Sequence, residues 1–181
     1  MEQNKVLDFY AKVFRLLLEL DRAHYDNNTA RPTYYHDVDA LINDHDTVDE
    51  LIRRLREGTI YNNFSASPRV IELMLDLADD IEFSTVYDSE YQVSDMDIEL
   101  ELNDGFFDDH GYSEDVCEDK VYYDIKRDLE ERRYLAGEGA LKVAAELREL
   151  ARSAEEERKR YEESRKAWWN EFCKLHPAEE Q

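Results

Sequence analysis

Apolar residues recur at steps of three and four near the start of the chain. Val6, Phe9, Val13, Leu16, Leu17 and Leu20 would share one stripe, predicting an amphipathic helix over 4–25. Asn27, Asn28 and Thr29, then Arg31 and Pro32, interrupt it. A short helical turn is expected over 34–43, around Val38, Leu41 and Ile42. Thr47-Val48-Asp49-Glu50 has the spacing of a capping box and opens a helix that Gly58 would close. Ser67-Pro68 is a second start signal, a cap followed by proline at the first helical position. Its helix would turn Val70, Ile71, Met74, Leu75, Leu77 and Ala78 inward and end near Asp79-Asp80.

The period then changes. Residues 82–87 are rich in β-formers, and Asp95 to Leu102 alternates polar and apolar at every step, the pattern of a half-buried strand. Met96, Ile98, Leu100 and Leu102 would face a core, with Asp95, Asp97, Glu99 and Glu101 facing water. Asp88-Ser89-Glu90 between the two strands predicts an antiparallel hairpin. Ser113 is expected to cap a helix to about Ala136, which Gly137 and Gly139 break before a last helix over 140–175. The expected architecture is α+β: mainly helical, with a small antiparallel β-hairpin or sheet and a long C-terminal helical hairpin. It divides into an N-terminal helical region over 1–80, an acidic β-hairpin region over 81–112 and the helical hairpin over 113–181.

Charge changes this picture. The 181 residues include 45 acidic and 23 basic ones, a formal net charge of -22. Residues 1–69 carry 12 acidic and 9 basic groups, and residues 120–181 carry 15 and 14. Between them, residues 70–119 hold 18 carboxylates and not one Lys or Arg. Binding of nucleic acid through a broad basic face is therefore not expected, because counterion release needs positive charge. With 42% hydrophobic residues, 12 Tyr, 7 Phe and 2 Trp, the chain has the composition of a folded protein. No stretch reaches the roughly 18–20 apolar residues of a membrane span, and Met1 to Lys12 lacks a signal-peptide pattern. Two cysteines, Cys117 and Cys173, cannot build a disulfide framework, and a cytoplasmic location is expected.

Catalytic patterns are weak. His36-Asp37 and His45-Asp46 place imidazoles beside carboxylates and could hold a divalent ion, but further ligands cannot be placed from sequence. Asp104, Asp108, Asp109 and His110 lack the ligand spacing of a calcium loop. Phosphate loops, nucleophile elbows and zincin motifs are missing from the sequence. The expectation is a protein that is not an enzyme and needs no cofactor.

A structured anionic surface has another use. On a strand, Asp95, Asp97, Glu99 and Glu101 would stand about 6.6–6.8 Å apart, close to two phosphate rises of about 3.4 Å along one DNA strand. In its composition, its basic-free block and this acidic row, the chain resembles phage-encoded acidic inhibitors that mimic nucleic acid, of the anti-CRISPR and anti-restriction kind. The resemblance implies a direct block of a basic nucleic-acid groove, in a CRISPR effector nuclease or a restriction enzyme. The candidate contacts are Asp79, Asp80, Glu82, Asp88, Glu90, Asp95, Asp97, Glu99, Glu101, Asp104, Asp108 and Asp109. The alternative is an adaptor or immunity-type module that docks through its C-terminal helix, around Tyr161, Trp168, Phe172 and Leu175. The same helix offers a route to a homodimer.

Overall fold

The first stripe folds as expected. In the computed structural model, which describes residues 5–43, 66–87, 92–103 and 118–176, α1 runs over Lys5–Tyr25 and buries Phe9, Val13, Leu16, Leu17 and Leu20. It ends where the asparagines fall. Asn28 takes a left-handed φ of 48°, its amide bonds the Tyr25 carbonyl, and the Thr29 amide bonds the His24 carbonyl. That pair of bonds is a Schellman closure, which satisfies carbonyls the helix would otherwise leave open. Helix α2 follows over Tyr35–Asn43, burying Val38 and Leu41.

Helix α3, Pro68–Tyr87, starts at the predicted cap, with the Ser67 hydroxyl accepting from the Val70 amide at 3.3 Å. It does not stop at Asp79-Asp80. Its buried stripe of Val70, Met74, Leu77, Ala78 and Ile81 continues to Ser84, so the predicted strand over 82–87 is the last part of this helix. Core contact on a helical period overrides the β propensity of Val86 and Tyr87.

The second predicted strand is also a helix. Helix α4 covers Asp95–Asn103. Ser94 and Asp97 close a reciprocal cap, with the Asp97 carboxylate accepting from the Ser94 amide at 2.8 Å and the Ser94 hydroxyl from the Asp97 amide at 3.3 Å. Val93, just before the cap, packs on the cluster that contains Ile98, as in a hydrophobic staple. Ile98 and Leu102, four apart, face that cluster, whereas Met96 and Leu100 are exposed at 69% and 59%. Among the described residues there is no strand, and the α+β expectation gives way to a helical fold.

The C-terminal hairpin is likewise replaced by one helix, α5, over Glu118–Leu175. At 1.5 Å per residue, its 58 residues span about 87 Å. Gly137 and Gly139 lie inside it. A Cβ added to Gly139 would come within 2.7 Å of the Ala23 Cβ, so this glycine is there for the close approach of α1. The surrounding buried positions, Ala136, Ala140, Ala144, Ala151 and Ala154, are small as well.

The other helices arrange themselves along α5. Lys5 pairs with Glu157 at 2.5 Å, Arg15 lies 3.9 Å from Glu146, and Ala23 meets Gly139, so α1 runs antiparallel to α5. Helix α3 packs on the same central stretch, and α2 packs on α3. Leu20, Met74, Leu77, Ile81 and Leu147 meet there as fully buried side chains. A second, smaller cluster joins Ile98 of α4 to Val121, Ile125 and Leu129 near the start of α5. The helix predicted from Thr47, and the segment with Asp104, Asp108, Asp109, His110 and Cys117, lie outside the described residues.

Candidate functional sites

The anionic row does not exist as a row. On α4 its members point in different directions, because successive residues of a helix are turned by about 100°. Asp95 accepts from the Tyr122 hydroxyl at 2.5 Å. Asp97 pairs with Arg133 at 2.9 Å, and Glu101 pairs with Arg132 at 2.9 Å. Partial burial works to raise the Asp97 carboxyl, but hydrogen bonds from Ser94 and Arg133 outweigh it and hold that group below the usual range. Three of the four acids therefore fasten α4 to α5; Asp95 and Glu99 are exposed, and Asp97 and Glu101 half-buried. The same happens on α3, where Arg148 of α5 bonds Asp79 at 2.7 Å and also Glu82. A block without one basic residue borrows its arginines from α5, 31 to 69 residues further along the chain. Asp88, Glu90, Asp104, Asp108 and Asp109 lie outside the described residues.

An acidic face survives on α3. Glu72, Asp76 and Asp80 are exposed and follow one another at four-residue steps, about 6 Å apart along the axis. Arg69 pairs with Glu72 at 2.8 Å, and Asp80 turns toward α2.

There Asp80 meets His36 and Asp37, and one ligand atom from each of the three lies within 4.8 Å of the others. The His36 Nδ1–H donates to the Thr33 carbonyl at 2.5 Å, which turns Nε2 toward the Asp37 Oδ1, 3.1 Å away. The other Asp37 oxygen, Oδ2, is buried with no N–H or O–H donor. Desolvation, reinforced by a side-chain hydrogen bond with Asp80 and by the charges of Asp80 and Asp76, and opposed by His36, pushes the Asp37 carboxyl up to about 6. His45 and Asp46, the other half of the pattern in sequence, lie outside the described residues. Sequence reasoning found His36 and Asp37 but missed Asp80 as their neighbour, since 43 residues and a tertiary contact between α2 and α3 separate it from Asp37.

The far end of α5 is a third feature. From Glu162 to His176 every residue is exposed. Trp168 and Trp169 are 61% and 57% exposed, and Phe172 and Leu175 are exposed beside them. The Phe172 ring stacks on Trp168 at 5.5 Å and on Trp169 at 5.7 Å, so the three aromatics form one plate on the helix surface. Its flanks carry Arg165, Lys166 and Lys174 against Glu171, a net +2 over residues 165–176 in a chain of net -22. Cys173 is exposed on the same stretch.

Among the described residues no helix is long and apolar enough to cross a membrane. Comparison with protein-family models, with curated proteins and with solved structures gave no match.

Proposed function

We propose that this chain is a non-enzymatic protein-binding module that docks through the end of α5. The observation carrying this reading is the plate of Trp168, Trp169 and Phe172 on a helix segment exposed on all sides. A large aromatic side chain contributes about 1.5–3 kcal/mol when it leaves water, and among the described residues none collects that gain here. The partner it fits presents an apolar groove rimmed by carboxylates, because Arg165, Lys166 and Lys174 flank the plate. This is helix-in-groove recognition, with anchors Trp168, Phe172 and Leu175 at four- and three-residue steps.

Removal of residues 165–181 tests it better than a longer deletion starting at residue 153. Glu157 bonds Lys5 and Ala154 is buried, so the longer deletion would also damage the packing of α1. A partner captured from a lysate of the source cell should be lost from the chain ending at Ser164 and from the Trp168→Ala/Trp169→Ala/Phe172→Ala variant. Equal capture by all three proteins would defeat the proposal. Sedimentation at two concentrations distinguishes the case in which the partner is a second copy.

A second reading keeps the acidic inhibitor of a basic nucleic-acid-binding protein, such as a CRISPR effector nuclease or restriction enzyme. The exposed sequence Glu72, Asp76, Asp80 on α3 supports it, together with the absence of Lys and Arg from residues 70–119. Its test is charge reversal at Glu72, Asp76 and Glu99, which spares the acids that hold α4 in place. Capture that survives both this reversal and 0.5 M salt would count against mimicry of phosphates.

A further inference from the structure

We propose that His36, Asp37 and Asp80 form a binding site for a divalent transition-metal cation that joins α2 to α3. Three arguments carry it. The ligand set is one imidazole nitrogen and two carboxylates, a combination that suits zinc and its first-row neighbours more than calcium or magnesium, which take oxygen ligands throughout. The His36 ring is oriented as in a metal ligand, with Nδ1–H held by the Thr33 carbonyl and Nε2 left to face the cluster. And the Asp37 Oδ2 is buried with no N–H or O–H donor, while the Asp80 carboxylate stands within hydrogen-bonding reach of Asp37, so two acceptors face each other that a cation would satisfy.

The spacing is within reach of an ion. Ligand atoms 2.0–2.2 Å from a common metal lie about 3–3.5 Å apart. The Nε2–Oδ1 distance of 3.1 Å already meets this, and the whole set falls within 4.8 Å. Asp80 is exposed and closes the remainder by a rotamer adjustment. Charge favours the ion as well. Helix α2 and the stretch of α3 after Arg69 contain no Lys or Arg, and Arg148 is engaged by Asp79 and Glu82. Three protein ligands leave the other coordination positions to water, so the site is accessible from solvent at His36, whose side chain is 69% exposed.

The site predicts that α2, which α3 otherwise holds through few buried side chains, tightens on metal. Isothermal titration of the metal-free full chain with Zn2+ at neutral pH should show one equivalent bound, with a rise in melting temperature. His36→Ala and Asp80→Asn, both at exposed positions, should each weaken binding tenfold or more and remove the thermal shift. Asp79→Asn, one residue away and outside the cluster, should leave both unchanged. Absence of saturable binding in the parent chain would overturn the proposal, as would affinity in His36→Ala and Asp80→Asn equal to that of the parent. Loss of binding in Asp79→Asn together with Asp80→Asn would also overturn it, because the response would then follow bulk charge.

Discussion

The middle and the far end of α5 invert the usual distribution of side-chain size. Between Ala136 and Ala154 the helix is covered on two sides, and what it buries is mostly alanine, with Val143 and Leu147. Between Trp168 and Leu175 it carries two tryptophans, a phenylalanine and a leucine, all in solvent. Small residues in the middle let α1 approach to the point where Gly139 meets Ala23, so large side chains of α1 and α3 fill the remaining space. At the end, the largest apolar groups have no such counterpart among the described residues. The contrast teaches that the folding energy and the exposed apolar area of this helix belong to different stretches, and changes in one should be silent in the other.

The strongest way to break that division is to empty the middle. Leu147 is fully buried, and Leu147→Ala should lower unfolding stability by about 2–5 kcal/mol in urea titration. Gly139→Leu, forcing a side chain against Ala23, should cost about 1–3 kcal/mol. If either were neutral, the packing of α1 along α5 would be wrong.

Acid should act on the same packed region through His24. Its ring is buried at the end of α1, with Nε2 2.6 Å from the Tyr34 hydroxyl and Nδ1 2.9 Å from the Thr29 hydroxyl. Burial, aided by Arg31 and opposed by Asp21, lowers its pKa from 6.5 to about 4. A folded-state value below the unfolded one means that the unfolded chain takes up this proton first as pH falls. The contribution is therefore full above about pH 6.5 and is lost between 6.5 and 4, at a cost of roughly 3 kcal/mol. Asp37, raised to about 6, works in the opposite sense, since its folded form holds a proton that the unfolded chain releases near 3.8. A His24→Gln variant should flatten the loss measured by urea unfolding between pH 7 and pH 4.5.

Smaller effects are expected from the borrowed arginines. Arg148→Ala frees Asp79 and Glu82 at a partly exposed site and should cost about 1 kcal/mol. Smallest of all, Trp168→Ala or Phe172→Ala should stay within about 0.5 kcal/mol of the parent chain while reducing partner capture.

The local signals that proved legible were those with one physical meaning. The stripe of α1, the asparagines that close it, and Ser67-Pro68 each led to the element observed. The strand over Asp95–Leu102 failed because its alternation also places Ile98 and Leu102 four apart. The Ser94–Asp97 cap decided between the periods, and that cap was present in the sequence. Gly137 and Gly139 look like breakers because sequence shows the helix cost of glycine, about 1 kcal/mol each, but not the Ala23 neighbour that requires Gly139. The least legible property was the meaning of the acidic block. Its count is a sequence fact, but its pairing with Arg132, Arg133 and Arg148 depends on long-range packing. Part of the apparent anionic surface, Asp79, Glu82, Asp97 and Glu101, is thereby spent on holding helices together, and the same packing brought Asp80 to His36.

Both tryptophans of the chain, Trp168 and Trp169, lie in the exposed end, so their fluorescence reports on that segment alone. Acrylamide quenching of the dilute full chain, followed through urea unfolding alongside circular dichroism at 222 nm, tests the central claim. The account predicts that quenching in the folded protein already matches that of the unfolded chain and stays level across the transition. Tryptophans shielded in the folded state at a dilution where the chain is monomeric, and released with the helices, would show that the end of α5 folds onto the body and would contradict it.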